Sequence, residues 1–262
     1  MGGEPFVRRV VLVATVVFMG ITLRGEASGV PSRVEVVSIR GVPQSLHVYG
    51  TGDRVAIVTS GDGGWTHLGP EVAEILAAQG YRVLGFDAKT YLASFTSRSE
   101  LLRAEDVPRD YGALVDHAVA ARVLLVGVSE GAGLSVLAAS DPALHPRLAG
   151  VVALGLPDRN ELAWRLRDAL IYLTKKTPDE PTFSARDVVA RVAPVPLAAI
   201  HSRRDEFVSV PEVEGIMGAA REPKRLWLID AADHRFSDGR VPLQQALAEA
   251  VTWIGSSART GP

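Results

Sequence analysis

A doubly wound α/β fold, with helices on both faces of a mostly parallel sheet, is what this sequence predicts. Strand-like apolar runs alternate with helical segments along the chain, as repeated β-α-β units require. One run, Val123-Leu124-Leu125-Val126, passes through Gly127-Val128-Ser129-Glu130-Gly131 straight into the apolar segment Ala132-Gly133-Leu134-Ser135-Val136-Leu137. Two later runs end in polar loops that carry Asp205 and His234.

Taken in order, Arg33 to Arg40 alternates in period two and reads as a half-exposed strand, with Gln44 to Tyr49 as its hairpin partner. Val55-Ala56-Ile57-Val58-Thr59 is a continuous apolar run, as a strand buried on both faces needs. Val72, Ile75, Leu76, Ala77 and Ala78 share a helical face that Gly80 closes, and Tyr81 to Asp87 is the next strand. A helix is expected near Tyr111 to Val119. Further strands are expected at Leu148 to Leu156, Val195 to His201 and Arg225 to Ile229, then a closing helix at Gln244 to Ile254. No repeat or low-complexity linker interrupts residues 30–255, which are expected to form one domain, and 256–262 a flexible tail.

Strand, Gly-x-Ser-x-Gly turn and helix together form the nucleophile elbow of α/β-hydrolases. Such a turn holds a serine hydroxyl on strained backbone at the end of the sheet, and its glycines let neighbouring chain pass close by. The helix N-terminus behind it aims amide N–H groups at developing negative charge. Ser129 is therefore the candidate nucleophile. In this fold the acid and then the histidine follow the nucleophile along the chain, at the ends of later strands. Asp205 and His234 occupy those places, with Glu206 as a competing acid, His201 a competing histidine and Asp233 a loop cap. His47, His117 and His145 have no such context.

The loop after the first buried strand, Ser60-Gly61-Asp62-Gly63-Gly64-Trp65, has the glycines needed to bring amide groups against a reacting carbonyl. Its expected oxyanion donors are the N–H of Asp62, or of Gly63 beside it, together with the N–H of Glu130. It lacks the Lys-Ser/Thr that a phosphate-binding P-loop requires. The Glu130 side chain is expected to be a solvated acid of the first helical turn. A sharper alternative is that Asp62 or Glu130 reads an ammonium group on the substrate. Residues 158–183, with Leu162, Trp164, Leu166, Ala169, Leu170 and Tyr172, read as either a cap helix or an ordinary crossover. Trp65, Tyr91 and Trp164 are the expected substrate-binding aromatics.

Composition bounds the function. The chain has 262 residues, 47% hydrophobic and 22% charged, with formal net charge −2. There is no basic excess for nucleic acid. With no cysteine, disulfides, thiolate chemistry, cysteine metal sites and a lipoprotein anchor are excluded. No metal or organic cofactor is implied by the candidate chemistry. Arg8-Arg9, the apolar stretch Val10 to Leu23 and the small residues Gly25 and Ala27 make residues 1–29 a signal peptide, too short to span a bilayer comfortably. A periplasmic or secreted location is expected, and an uncleaved anchor is the weaker alternative.

The string Ser60-Gly61-Asp62-Gly63-Gly64-Trp65, the helix ending at Gly80, the strand through Gly85-Phe86-Asp87 and the segment Lys89-Thr90-Tyr91-Leu92 resemble the AcvB/VirJ family of bacterial exported proteins. The resemblance runs from about Val55 through the elbow and returns at the Asp205 and His234 loops. It implies an α/β-hydrolase in the periplasm that hydrolyses lysyl-phosphatidylglycerol, with a link to virulence and type IV secretion in some members. The family elbow is usually Gly-Tyr-Ser-Phe-Gly-Ala-Asp; here Val128, Glu130 and Gly133 stand at its Tyr, Phe and Asp positions.

An exported serine esterase acting through an acyl-enzyme is the leading expectation, its substrate a small-molecule or lipid ester met at a membrane surface. The alternatives are a generic carboxylesterase or thioesterase, an amidase, and a non-catalytic periplasmic binding protein built on the same fold.

Overall fold

The computed structural model describes residues 31–96, 101–165 and 181–257. The signal segment therefore lies outside the described residues, as do residues 166–180 of the expected cap. The chain opens with the hairpin β1 (Arg33–Ile39) and β2 (Val42–Tyr49). Then come β3 (Arg54–Thr59), α1 (Leu68–Ala78), β4 (Tyr81–Phe86), α2 (Ala88–Thr96), α3 (Asp106–His117), β5 (Val123–Val128) and α4 (Glu130–Ala139). The second half holds β6 (Leu148–Leu154), the short strands β7 (Arg159–Glu161) and β8 (Thr182–Ser184), and α5 (Ala185–Val188). It closes with β9 (Leu197–Ser202), α6 (Val210–Ala219), β10 (Lys224–Ile229) and α7 (Arg240–Ser257).

Eight strands form one sheet in the order β1-β2-β4-β3-β5-β6-β9-β10. Only β1 and β2 run antiparallel to their neighbours; from β4 to β10 every pairing is parallel. Burial follows from this placement. All six residues of β5 are buried, because helices cover both faces of a parallel sheet, whereas β1 at the edge turns Val34 and Val36 outward and Val37 and Ile39 inward. Alternation splits the core in two. Leu125, Val151 and Ala153 pack under α2, α3, α4 and α6, while Leu124, Val126, Val152 and Leu154 pack under α1 and α7.

Some boundaries move from those expected. Helix α3 begins at Asp106, five residues before the predicted start, and α2 follows β4 where no helix was expected. The closing helix runs through Ser257, so Ser256 and Ser257 are helical rather than frayed. In the expected cap, residues 159–161 are a strand paired antiparallel with β8, and Leu162 and Trp164 are not helical. Their spacing mimicked an amphipathic helix because alternating apolar side chains over so short a stretch suit either period.

Candidate active site

The elbow is built by close approach. Ser129 has φ 52° and ψ −118°, a strained conformation for a residue with a side chain. Its amide donates to the Leu154 carbonyl at 2.8 Å, which ties the turn to β6. A β-carbon on Gly127 would lie 2.1 Å from the Gly131 carbonyl oxygen, and one on Gly131 would lie 2.3 Å from the Ser60 carbonyl oxygen. Both glycines of the motif are thus demanded by backbone packing. Glu130 opens α4, so its amide has no intrahelical acceptor.

Ser129 faces a cleft of about 440 Å³ at the carboxyl end of the parallel strands. Asp62, Gly63, Glu130, Trp164 and His234 line it too, as does Gly61, whose β-carbon position lies 3.4 Å from the Ser129 β-carbon. The glycine loop is closed by the Gly64 amide on the Gly61 carbonyl at 3.0 Å and is anchored below by Ser60, whose hydroxyl accepts from the Ala88 amide at 3.1 Å.

Asp205 and His234 meet. Asp205 Oδ2 is 2.6 Å from His234 Nδ1, and Asp205 Oδ1 accepts from the amides of Phe207 and Val208 at 2.9 and 2.8 Å. Burial alone would raise this carboxyl; the hydrogen bond and charge of His234, with the two amides, outweigh burial and hold it below its ordinary value. An ionised Asp205 can only accept, so Nδ1 carries the proton and Nε2 keeps a lone pair for another donor. No hydrogen bond joins Ser129 to His234 among the described residues, although both line the same cleft. Catalytic hydrogen bonds are often long before substrate arrives.

The competitors have other work. Glu206 Oε2 accepts from the His234 amide at 2.8 Å and so braces the histidine loop. Asp233 caps its own loop through the amides of Arg235 and Ser237. His201 is fully buried behind Asp205; it donates through Nε2 to the Val208 carbonyl at 3.0 Å, and burial pushes its pKa down, opposed by Asp205. His47, His117 and His145 contact Trp65, Glu35 and the Ala139 carbonyl.

Three expectations need correction. Trp65 does not line the cleft. Its ring stacks on His47 at 5.2 Å, its Nε1 donates to the Tyr49 hydroxyl at 3.1 Å, and it fills the space a side chain at Gly85 would occupy. An indole with an acceptor and a flat slot beside it gains more there than in a wet cleft. Tyr91 is fully buried on α2, where its hydroxyl donates to Asp110 at 2.7 Å; Arg40 forms an ion pair with the same carboxylate at 2.8 Å. Glu130 is not a solvated acid. It is 8% exposed, and its Oε1 accepts from the Glu161 amide at 2.8 Å. Burial, with Glu161 and Asp62 adding like charge, pushes its carboxyl well above the ordinary value despite that hydrogen bond.

Trp164 lines the cleft, with Lys89 Nζ 4.4 Å from its ring centre. Several lining residues escaped sequence reasoning: His67, Lys89, Glu161, Phe207 and Arg235. Phe207 packs edge-on against the His234 ring at 5.5 Å. Gly155, with φ 58°, also went unseen; a β-carbon there would sit 2.8 Å from His234 Cε1. Only its place at the end of an apolar run could have signalled it.

This fold and site define an α/β-hydrolase-fold protein with a Ser-His-Asp constellation at the sheet's carboxyl edge. The chain belongs to the VirJ family: the model of the bacterial virulence protein VirJ matches residues 53–206, more than half of the chain. Among solved structures it is similar to a bacterial membrane phospholipase A described as a virulence factor (TM-score 0.65, 12% identity, 87% of each chain). It is also similar to the Pyrococcus furiosus esterase Pf2001 (0.63, 20%, 84% of this chain and 89% of that one) and to Est1E from Butyrivibrio proteoclasticus (0.62, 14%, 85% and 99%). At such identities the likeness concerns the fold. The uncharacterized protein YfhR of Escherichia coli is 36% identical over 61 residues, 22% of this chain and 22% of its own length, so the match spans about a fifth of that curated relative.

Proposed function

We propose that this chain is an exported serine hydrolase that cleaves a carboxylic ester through an acyl-enzyme. The observation that carries the proposal is the 2.6 Å contact of Asp205 with His234 at a cleft into which the strained elbow presents Ser129. Ser129 Oγ adds to the ester carbonyl carbon while its proton passes to His234 Nε2, and Asp205 stabilises the imidazolium. The oxyanion is met by the amides of Glu130 and of Asp62 or Gly63. The bond to the alcohol then breaks as His234 returns the proton to the leaving oxygen. Water, deprotonated by the same Nε2, adds to the acyl carbon and releases the acid and Ser129.

An aminoacylated phospholipid, lysyl-phosphatidylglycerol, is the substrate we assign. The cleft supports this by carrying both signs of charge, with Asp62, Glu161 and Glu206 for an ammonium and Lys89 and Arg235 for a phosphate. The residue pattern at Arg8 to Ala27 supports export to where such a headgroup is met. The test is fluorophosphonate labelling of wild type and Ser129→Ala, followed by specificity constants on lysyl- and alanyl-phosphatidylglycerol and on nitrophenyl esters. Labelling that depends on Ser129, with lysyl-phosphatidylglycerol preferred, is expected. Labelling of neither protein would remove the hydrolase reading, and equal constants for the two lipids would remove the substrate.

A further inference from the structure

The first turns of α4 do more than carry Ser129. Glu130 and Gly133 lie one turn apart on the same face of that helix, and both meet β7. Glu130 Oε1 accepts from the Glu161 amide at 2.8 Å. A β-carbon on Gly133 would sit 1.7 Å from Asn160 Oδ1 and 2.1 Å from Asn160 Cγ, so the Asn160 amide rests directly on the helix backbone.

Asn160 is fully buried. Its Nδ2 donates to the carbonyls of Pro157 and Asp158 at 3.0 and 3.1 Å, which folds the approach to β7 back on itself. Its Oδ1 finds no hydrogen-bond donor among the described residues. That oxygen points where the α-hydrogen of Gly133 lies, a weak C–H contact that any larger residue would abolish. Burying an unmet acceptor is unfavourable, so the side chain is held there by the fit around it. The strand seated in this way continues into the wall of the cleft, which Glu161 and Trp164 line together with Ser129. At the far end of the wall the Trp164 amide donates to Thr96 Oγ1 at 2.8 Å.

We infer that Glu130 and Gly133 are positioning residues: with Asn160 they seat β7 on the nucleophile helix, and this seat sets where the Glu161–Trp164 wall stands and which esters fit against it. The inference rests on the hydrolase reading for its selectivity and on geometry alone for the seat. Gly133→Ala should force Asn160 off the helix, and Asn160→Ala should relieve that clash. Glu130→Gln keeps an oxygen for the Glu161 amide, whereas Glu130→Ala does not.

Two readouts test it on the full-length mature chain. Hydrogen exchange across residues 157–165 should rise in Gly133→Ala, Glu130→Ala and Asn160→Ala, stay near wild type in Glu130→Gln, and rise no further in the Gly133→Ala/Asn160→Ala double variant than in Asn160→Ala alone. KM for p-nitrophenyl octanoate should rise about tenfold in Gly133→Ala, with kcat changed much less, and the Gly133→Ala/Asn160→Ala double variant should match Asn160→Ala alone. Wild-type exchange in both Gly133→Ala and Glu130→Ala would overturn the seat. Raised exchange with unchanged KM would overturn its control of selectivity. Failure of the hydrolase reading looks different: wild type would neither take the fluorophosphonate nor turn over p-nitrophenyl octanoate, and the exchange result would still decide the seat.

Discussion

The α-carbon of Gly155 lies beside His234 where a side chain cannot go, because the imidazole Cε1 stands 2.8 Å from where a β-carbon would be. β6 ends at Leu154, and its carbonyl holds the Ser129 amide. The strand that fixes the elbow is thus followed at once by the residue that makes room for the His234 ring.

Gly155→Ala should therefore damage catalysis more than folding. The φ of 58° costs an alanine about 1–2 kcal/mol. Displacement of the ring should lower kcat/KM roughly 100-fold. Steady-state kinetics beside urea unfolding checks this, and a variant with unaltered turnover would break the link between Gly155 and His234.

Asp205→Asn should keep substrate binding and lose turnover, with kcat falling on the order of 10⁴-fold, because an amide no longer enforces the Nδ1–H tautomer. The same substitution predicts a pH signature. The folded-state carboxyl is depressed, so its stabilisation is present above the unfolded pKa and disappears as pH falls through the lower folded value. Wild type and variant should differ in unfolding free energy at pH 7 and converge in acid once the pH has fallen below the depressed folded value. A gap that persists in acid would contradict the assignment.

For Glu130 the sign reverses. Its folded carboxyl is raised, so below the ordinary glutamate value both states are protonated and nothing is lost, whereas raising the pH makes ionisation oppose folding. Glu130→Gln should be more stable than wild type at pH 7 and above, and equal to it near pH 4. Thermal melts across that range decide the matter.

Tyr91→Phe tests the removal of Tyr91 from the binding site. Asp110 is 2% exposed and would lose one of its two side-chain partners among the described residues, at a cost of about 1–3 kcal/mol. KM should not change. A KM effect without loss of stability would return Tyr91 to the cleft.

Much of the site was legible because local patterns impose it. The elbow, its strand and its helix are contiguous, and the positions of Asp205 and His234 follow from strands ending where polar loops begin. Glu130 was read wrongly for a physical reason. The first turn of a helix is a good place for an exposed acid. Nothing nearby in the chain announces that Glu161, brought in from β7, will cover it. Two of the three residues by which this elbow departs from the related pattern, Glu130 and Gly133, meet that same strand.

What the sequence determined alone is the order of the main-sheet strands, the burial of the central ones and the placing of Ser129, Asp205 and His234 just beyond strand ends, since periodicity and turn chemistry are local properties. Tertiary structure decided which aromatics see the cleft. Trp65 and Trp164 are alike in composition and loop context, yet one lies against Gly85 and the other stands in the wall over Lys89. That choice depends on contacts between segments far apart in the chain, and side-chain type carries no record of them.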